Sequence, residues 1–159
     1  MQGFDIDIGN GSVAVVDAAD FNEVSKYKWH LLNTRGKRYA IAHIVDHEGN
    51  RETVYMHRLI AGVSKGQVCD HIDGDGLNNK RLNLRACSHQ QNIWNAKRSV
   101  RNKSGFKGVC WHKNNQKWHA RISKGGVSVH LGFYESPEIA HQAYCKAAKE
   151  LHGEFWRAG

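Results

Sequence analysis

The sequence predicts an α+β protein in three parts: a β-rich N-terminal region, a short polar strand–loop–strand–helix unit, and a three-stranded antiparallel sheet packed on one helix. Three observations carry that prediction. Short apolar runs bounded by Gly, Asn and Asp fill the first sixty residues, the pattern of small strands. The stretch Cys69 to Lys97 crowds Asp, His and Asn together with few apolar residues, a poor recipe for a core and a good one for a site. From Gly105 onward, three β-rich runs precede a helix with clear start and stop signals. The corresponding divisions are 1–97 (with the polar unit at about 66–97), a basic linker at 98–104, and 105–159.

Charge is distributed unevenly over these parts. The net charge is +8. Residues 1–60 carry 7 Lys/Arg against 8 Asp/Glu, residues 61–100 carry 6 against 3, and residues 101–159 carry 10 against 4. The basic excess therefore begins near the polar unit and grows toward the C-terminus, as expected if that half meets a polyanion. Cys69, Cys87, Cys110 and Cys145 form no C-x-x-C pair, so buried thiols are expected, with a zinc knuckle built on Cys69, Cys87 and nearby histidines as the alternative. No segment approaches the ~18 apolar residues of a membrane span, and the N-terminus lacks a basic start followed by an apolar run. The expected setting is cytoplasmic and reducing, with no membrane partner.

In chain order, FDIDI and SVAVV read as strands around an NGS turn, followed by a helical turn at about Ala18 to Val24. YKWHLL, RYAIAHIV and RETVYM read as further strands separated by the loops NTRGK and DHEGN, giving one small antiparallel sheet. Tyr27, Trp29, Tyr39 and Tyr55 are assigned to its core. MHRLIAG reads as a short helix that delivers the chain to the polar stretch.

Within that stretch, Val68 precedes the adjacent Asp70 and His71, as if a strand ended by presenting a carboxylate and an imidazole together. Gly74 and Gly76 permit a tight loop, Leu82 and Leu84 suit a second strand, and Ser88 can cap a helix over about residues 89 to 97. Oxygen donors such as a carboxylate and an amide suit Mg²⁺ or Mn²⁺, whereas tetrahedral zinc prefers thiolate and imidazole. A calcium loop is the competing reading of DGDGLNN, although the downstream Glu of an EF-hand is missing. NAKRSVRNKSG follows, a basic tether that either tracks a DNA backbone or is merely solvated.

The last third is the most legible. FKGVCWH, KWHARIS and VSVHLGF are separated by the hairpin loops KNNQ and KGG. Ser136 is an N-cap, Pro137 takes the first helical position and Gly153 ends the helix, with Ile139, Ala140, Ala143, Tyr144, Ala147, Ala148 and Leu151 on its apolar face. Alternation turns Trp118, Ala120 and Ile122 toward the helix together with Val127, Val129 and Leu131. Lys117, His119, Arg121, Ser123, Ser128 and His130 then face outward, a basic polar surface suited to the major groove.

The residues DHI, NLR and a helical Asn at these spacings closely resemble the HNH nucleases with a ββα-metal fold, and YMHRLI with the DGDGLNNKRLNLR loop resembles phage homing enzymes of that family. The resemblance implies one divalent ion, Mg²⁺ or Mn²⁺, per active site, held by Asp70 and Asn92. It implies His71 as general base and Asn83 as the residue that ties the loop together and orients His71. It also implies Arg58 on a phosphate and His57 as support, each of which is equally readable as an ordinary packed or solvated side chain.

KGV, KWHARI, LGFY and the AHQAYCKAAKELHG helix closely resemble the plant Apetala-two/ethylene-response-factor DNA-binding domain. By that resemblance Lys107, Cys110, His112, Arg121, Ser123, Ser128 and His130 face double-stranded DNA. Several of these are arginine or tryptophan in the plant proteins, so the target sequence differs while the docking mode carries over. Together the resemblances imply a phage-encoded, monomeric endonuclease that nicks one strand by water attack, leaving a 5′ phosphate. A non-catalytic DNA-binding regulator that retains the fold is the alternative.

Overall fold

Two-residue periodicity followed by an abrupt switch to helical spacing organises the N-terminal region. In the computed structural model, which describes residues 3–34, 36–45, 47–64 and 66–158, the chain forms two compact units, Met1–Asn92 and Ile93–Gly159. Arg35 of the NTRGK loop and Asp46 of DHEGN lie outside the described residues.

In the first unit β1 (Gly3–Asp7) and β2 (Val13–Asp17) form an antiparallel hairpin, and α1 (Ala18–Val24) follows at once. A separate three-stranded sheet has the order β3 (His30–Thr34), β4 (Lys37–Val45), β5 (Arg51–Tyr55). The single sheet expected from sequence is therefore two, because α1 and the turn after it break the pairing between β2 and β3. Ile8, Val16, Val24 and Met56 are almost fully buried in their common core, each worth roughly 1.5–3 kcal/mol in removed apolar surface. Trp29 joins them, its indole N–H donating to the Val24 carbonyl at 2.7 Å.

α2 (Met56–Ala61) ends on Gly62 in the left-handed region, and β6 (Val68–His71) pairs antiparallel with β7 (Leu84–Cys87). A 3-10 turn at Arg81–Asn83 precedes β7. Leu82, expected in the strand, sits in that turn and is 78% exposed, because the turn shortens the strand to its last four residues. α3 (His89–Asn95) follows. Its start is a reciprocal cap: Ser88 Oγ accepts from Gln91 N–H, and Gln91 Oε1 accepts from Ser88 N–H.

The N-terminal hairpin anchors the long loop between β6 and β7. Val15 N–H donates to the Leu77 carbonyl and Val15 accepts from Asn79 N–H, while Arg81 binds Asp20 through its guanidinium and Asp17 through its main-chain N–H. Gly76 is required for a different reason: a Cβ there would stand 2.1 Å from the Arg38 carbonyl oxygen.

In the second unit β8 (Val109–His112), β9 (Lys117–Lys124) and β10 (Val127–Tyr134) form an antiparallel sheet against α4 (Pro137–His152). Ser136 Oγ caps α4 by accepting from Ile139 N–H. The buried row is Ala140, Tyr144, Ala148 and His152, spaced four apart. Ile139, expected on the apolar face, is 49% exposed, since it lies one position off that row. Val127 and Val129, expected to face in, are 66% and 38% exposed, because they lie at the hairpin end of β10 rather than in the part that packs on α4. Gly108 makes the sheet–helix approach possible: its φ is +76°, and a Cβ there would meet the Tyr144 ring at 2.0 Å.

Candidate active site and nucleic-acid face

Asp70 and His71 stand at the end of β6, and the two side chains have different partners. Arg85 lies directly opposite Asp70 in the hairpin register and presents Nε at 3.0 Å and Nη2 at 2.8 Å to one carboxylate oxygen, Oδ2. Both groups are largely buried, with side-chain exposures of 12% and 5%. Arg85 was not singled out by sequence reasoning, which counted NLR for its asparagine; the two-strand register is the signal that would have found it.

His71 is buried, and its Nε2 lies 3.2 Å from Asn79 Oδ1. Asn79 is fully buried. Its amide nitrogen donates to the Leu77 carbonyl at 3.2 Å, and because a carbonyl can only accept, that bond fixes which end of the amide faces His71. The oxygen faces Nε2, so Nε2 carries the proton and the lone pair of the neutral ring falls on Nδ1. Burial lowers the His71 pKa, and this outweighs the Asn79 bond and the carboxylates of Asp73, Asp70 and Asp75, which favour the proton. The ring is thus neutral at pH 7 and able to accept a proton.

An aromatic wall closes the other side. The His57 ring meets His71 edge-on at 4.9 Å, and Tyr39 lies 6.2 Å from His71 and 5.5 Å from His57. Burial, with help from His71 and Arg58, pushes the His57 pKa down to about 3, so His57 acts as a neutral packing partner. Tyr39, assigned to a core from sequence, lines the site as well.

Asn83 braces the loop. Its Oδ1 accepts from Asp73 N–H, and its amide nitrogen donates to Asp73 Oδ1 and to the Asn78 carbonyl. Burial opposes ionisation of Asp73, but the Asp75 N–H and the Asn78 and Asn83 amides hold its carboxyl below the usual range. The loop's polar crowd is thereby spent largely on itself, and the side chain held against His71 is that of Asn79. Asn92 lies half-buried on α3, its N–H donating to the Ser88 carbonyl and lying beside the Cys87 thiol. Asp70, His71, Asn83 and Asn92 all belong to the first unit. Among the described residues no three His, Cys, Asp or Glu side chains gather as a metal-ligand group, and Cys69, Cys87, Cys110 and Cys145 are free thiols. Burial raises the Cys69 pKa to about 11.

Arg58 is engaged elsewhere: its guanidinium donates to the Gln67 carbonyl at 2.7 Å and to the Ser64 carbonyl at 2.8 Å. Lys107 likewise serves the fold of the second unit, Nζ donating to the carbonyls of Trp94, Ala96 and Arg157. Burial lowers its pKa to about 8.

The other face residues do come together. Cys110 opposes His119, His112 opposes Lys117, His130 opposes Arg121 and Ser128 opposes Ser123. His130 Nδ1 lies 2.7 Å from His119 Nε2. Phe133 was missed: the register slips between His130 and Gly132, so Phe133 turns outward and its ring lies 4.8–5.0 Å from those of His112, His119 and His130. A bulge of one residue inverts every later position of an alternating strand, and period counting alone cannot see it.

Comparison with known proteins adds two findings. Residues 104–154 match the AP2 domain. A protein of Acanthamoeba polyphaga mimivirus named "Uncharacterized HNH endonuclease L560" is 33% identical over 148 residues, covering 92% of this chain and 74% of that protein. Protein 3.8 of Escherichia phage T7 is 35% identical over 95 residues, 60% of this chain and 78% of its own length. No solved structure matches the chain.

Proposed function

Because this chain belongs to the HNH endonuclease family and carries a C-terminal AP2 domain, we propose that it is a divalent-metal-dependent DNA endonuclease. In this reading β6, β7 and α3 are its ββα-metal unit, and the second unit brings duplex DNA to it through the outward face of its sheet. The observation that carries the proposal is the buried, neutral His71 next to Asp70, with Nε2–H fixed by Asn79 and the lone pair on Nδ1.

His71 then accepts the proton of an attacking water at Nδ1 as the water oxygen bonds to phosphorus. The bond to the 3′ oxygen breaks, that oxygen takes a proton from solvent water, and the products bear a 5′ phosphate and a 3′ hydroxyl. Asp70 and Asn92 are the residues that would hold Mg²⁺ or Mn²⁺, since a carboxylate and an amide oxygen are hard donors that leave room for water and phosphate. Such an ion, when bound, polarises the phosphate and stabilises the leaving oxygen. One base and one ion per chain cut one strand per encounter, so a monomer nicks. Among the described residues no helix is long and apolar enough to cross a membrane. Relatives in a phage and a giant virus support an activity inside an infected host cell.

One observation favours a second reading. Arg85 already neutralises Asp70, as it would in a DNA-binding regulator that keeps the fold without cutting. Incubating supercoiled plasmid with Mg²⁺ or Mn²⁺ separates the two. Relaxed circles that disappear on chelation support the nuclease; retention of the plasmid as a bound, uncut complex across divalent metals supports the regulator.

A further inference from the structure

The second unit holds a groove of about 590 Å³ that the duplex-reading face does not account for. It runs beside β8, an edge strand of the sheet, against the turn at residues 101–104. That turn is fastened to the strand region: Asn102 Nδ2 donates to the Phe106 carbonyl at 2.7 Å and Ser104 Oγ to the Val109 carbonyl at 2.9 Å. Arg101, Lys103, Lys113 and Arg121 line the groove together with Trp111 and Trp118, and no carboxylate is among the lining residues. Trp111 is 48% exposed. Its ring meets that of Trp118 edge-on at 5.1 Å and 68°, which fixes its orientation while leaving much of it in solvent. Trp111 alternates with Cys110 and His112 along β8 and so points to the other side of the strand from the histidine face.

A half-exposed tryptophan is unfavourable in water, and four cations lining one groove with no carboxylate among them call for a polyanion. Duplex DNA keeps its bases stacked inside and cannot offer a ring to Trp111. Single strands can, and the combination of a basic groove with an aromatic platform is what sequence-tolerant single-strand binding requires. We propose that this groove is a second nucleic-acid site that takes single-stranded DNA, one base stacking on Trp111 and the flanking phosphates meeting Arg101, Lys103 and Lys113. Arg121, on both the groove and the outer face, connects the two surfaces. The inference rests on the reading that DNA is this chain's polymer, and it gives the protein a hold on a strand freed beside a nick or at a frayed end.

The test measures fluorescence anisotropy of a labelled oligothymidylate of about 15 nucleotides and of a blunt duplex, using the full chain with chelator present so that nothing is cut. Trp111→Ala should weaken oligothymidylate binding by about 5- to 100-fold and change duplex affinity less than twofold, and Trp111→Phe should recover most of the loss. Arg101→Ala with Lys103→Ala, both exposed and remote from the core, should lower the salt slope for the single strand by about 1.4. Unchanged oligothymidylate binding in these variants would overturn the proposal. So would a parallel loss of duplex binding, which would make the groove part of the duplex face, or a preference for oligouridylate over oligothymidylate. Because the assay reads binding alone, its outcome is independent of whether the protein nicks plasmid.

Discussion

The two units handle polar residues in opposite ways. In the first, polar side chains satisfy one another, buried in the pairs Asp70 with Arg85 and His71 with Asn79 and at the surface where Asp73 binds Asn78 and Asn83. In the second, Arg121, Ser123, Ser128 and His130 stand exposed on an open sheet. Chemistry on a phosphodiester needs groups whose protonation and orientation are settled before substrate arrives, which burial and fixed bonds provide. Recognition of a long polyanion needs charges that can meet it, and exposure provides that. The contrast is what the proposed reading requires, with cutting in the first unit and binding in the second.

Substitutions that separate those roles test the assignment, and the largest effect belongs to Asp70. Asp70→Asn retains a partner for Arg85 but removes the charge, and plasmid nicking in Mg²⁺ should fall by about 10²- to 10⁴-fold with duplex affinity unchanged. A parallel loss of binding would show that Asp70 holds the fold rather than the chemistry.

Acid should strike the first unit next. His57 is held at about 3 in the folded chain against an ordinary value near 6.5. Its neutral form therefore stabilises the fold fully above pH 6.5, and that contribution is lost as pH falls from 6.5 toward 3, on the order of 5 kcal/mol in all. Denaturant unfolding across this range should show the decline, and His57→Leu should flatten it. Gly108→Ala attacks the other unit: the Cβ collides with Tyr144 and the φ is positive, so the second unit should lose roughly 3 kcal/mol or more. Hydrogen exchange should report that loss in residues 106–156 while β6 and β7 stay protected. The smallest effect is Arg121→Ala, expected to weaken duplex binding by about 5- to 100-fold while leaving slow, unspecific nicking; normal duplex binding in this variant would remove the sheet from recognition.

Local signals carried well from sequence to structure. Ser136, Pro137 and Gly153 bound α4 where capping chemistry put them, and α1 spans Ala18–Val24 as expected, since such signals act within one helical turn. Asp70 and His71 do end a strand. What stayed hidden was set by distant partners. Asn79 looks like one more polar loop residue until Val15, from the N-terminal hairpin, fixes it beneath His71. Arg58, read as a phosphate contact, and Lys107, read as facing DNA, also bind main-chain carbonyls that composition does not reveal. Phe133 changes face through a register slip that leaves no trace in composition. The split of the N-terminal strands into two sheets likewise depends on where the turn after α1 sends β3.

In the proposed reading His71 serves the chemistry and not the hold on DNA. Single-turnover nicking and duplex affinity, measured side by side for the wild-type chain and His71→Ala in Mg²⁺, test it most directly. The nicking rate should fall by about 10²- to 10⁴-fold with duplex affinity within twofold of wild type. Nicking that persists at the wild-type rate, or that falls only in step with binding, would contradict it.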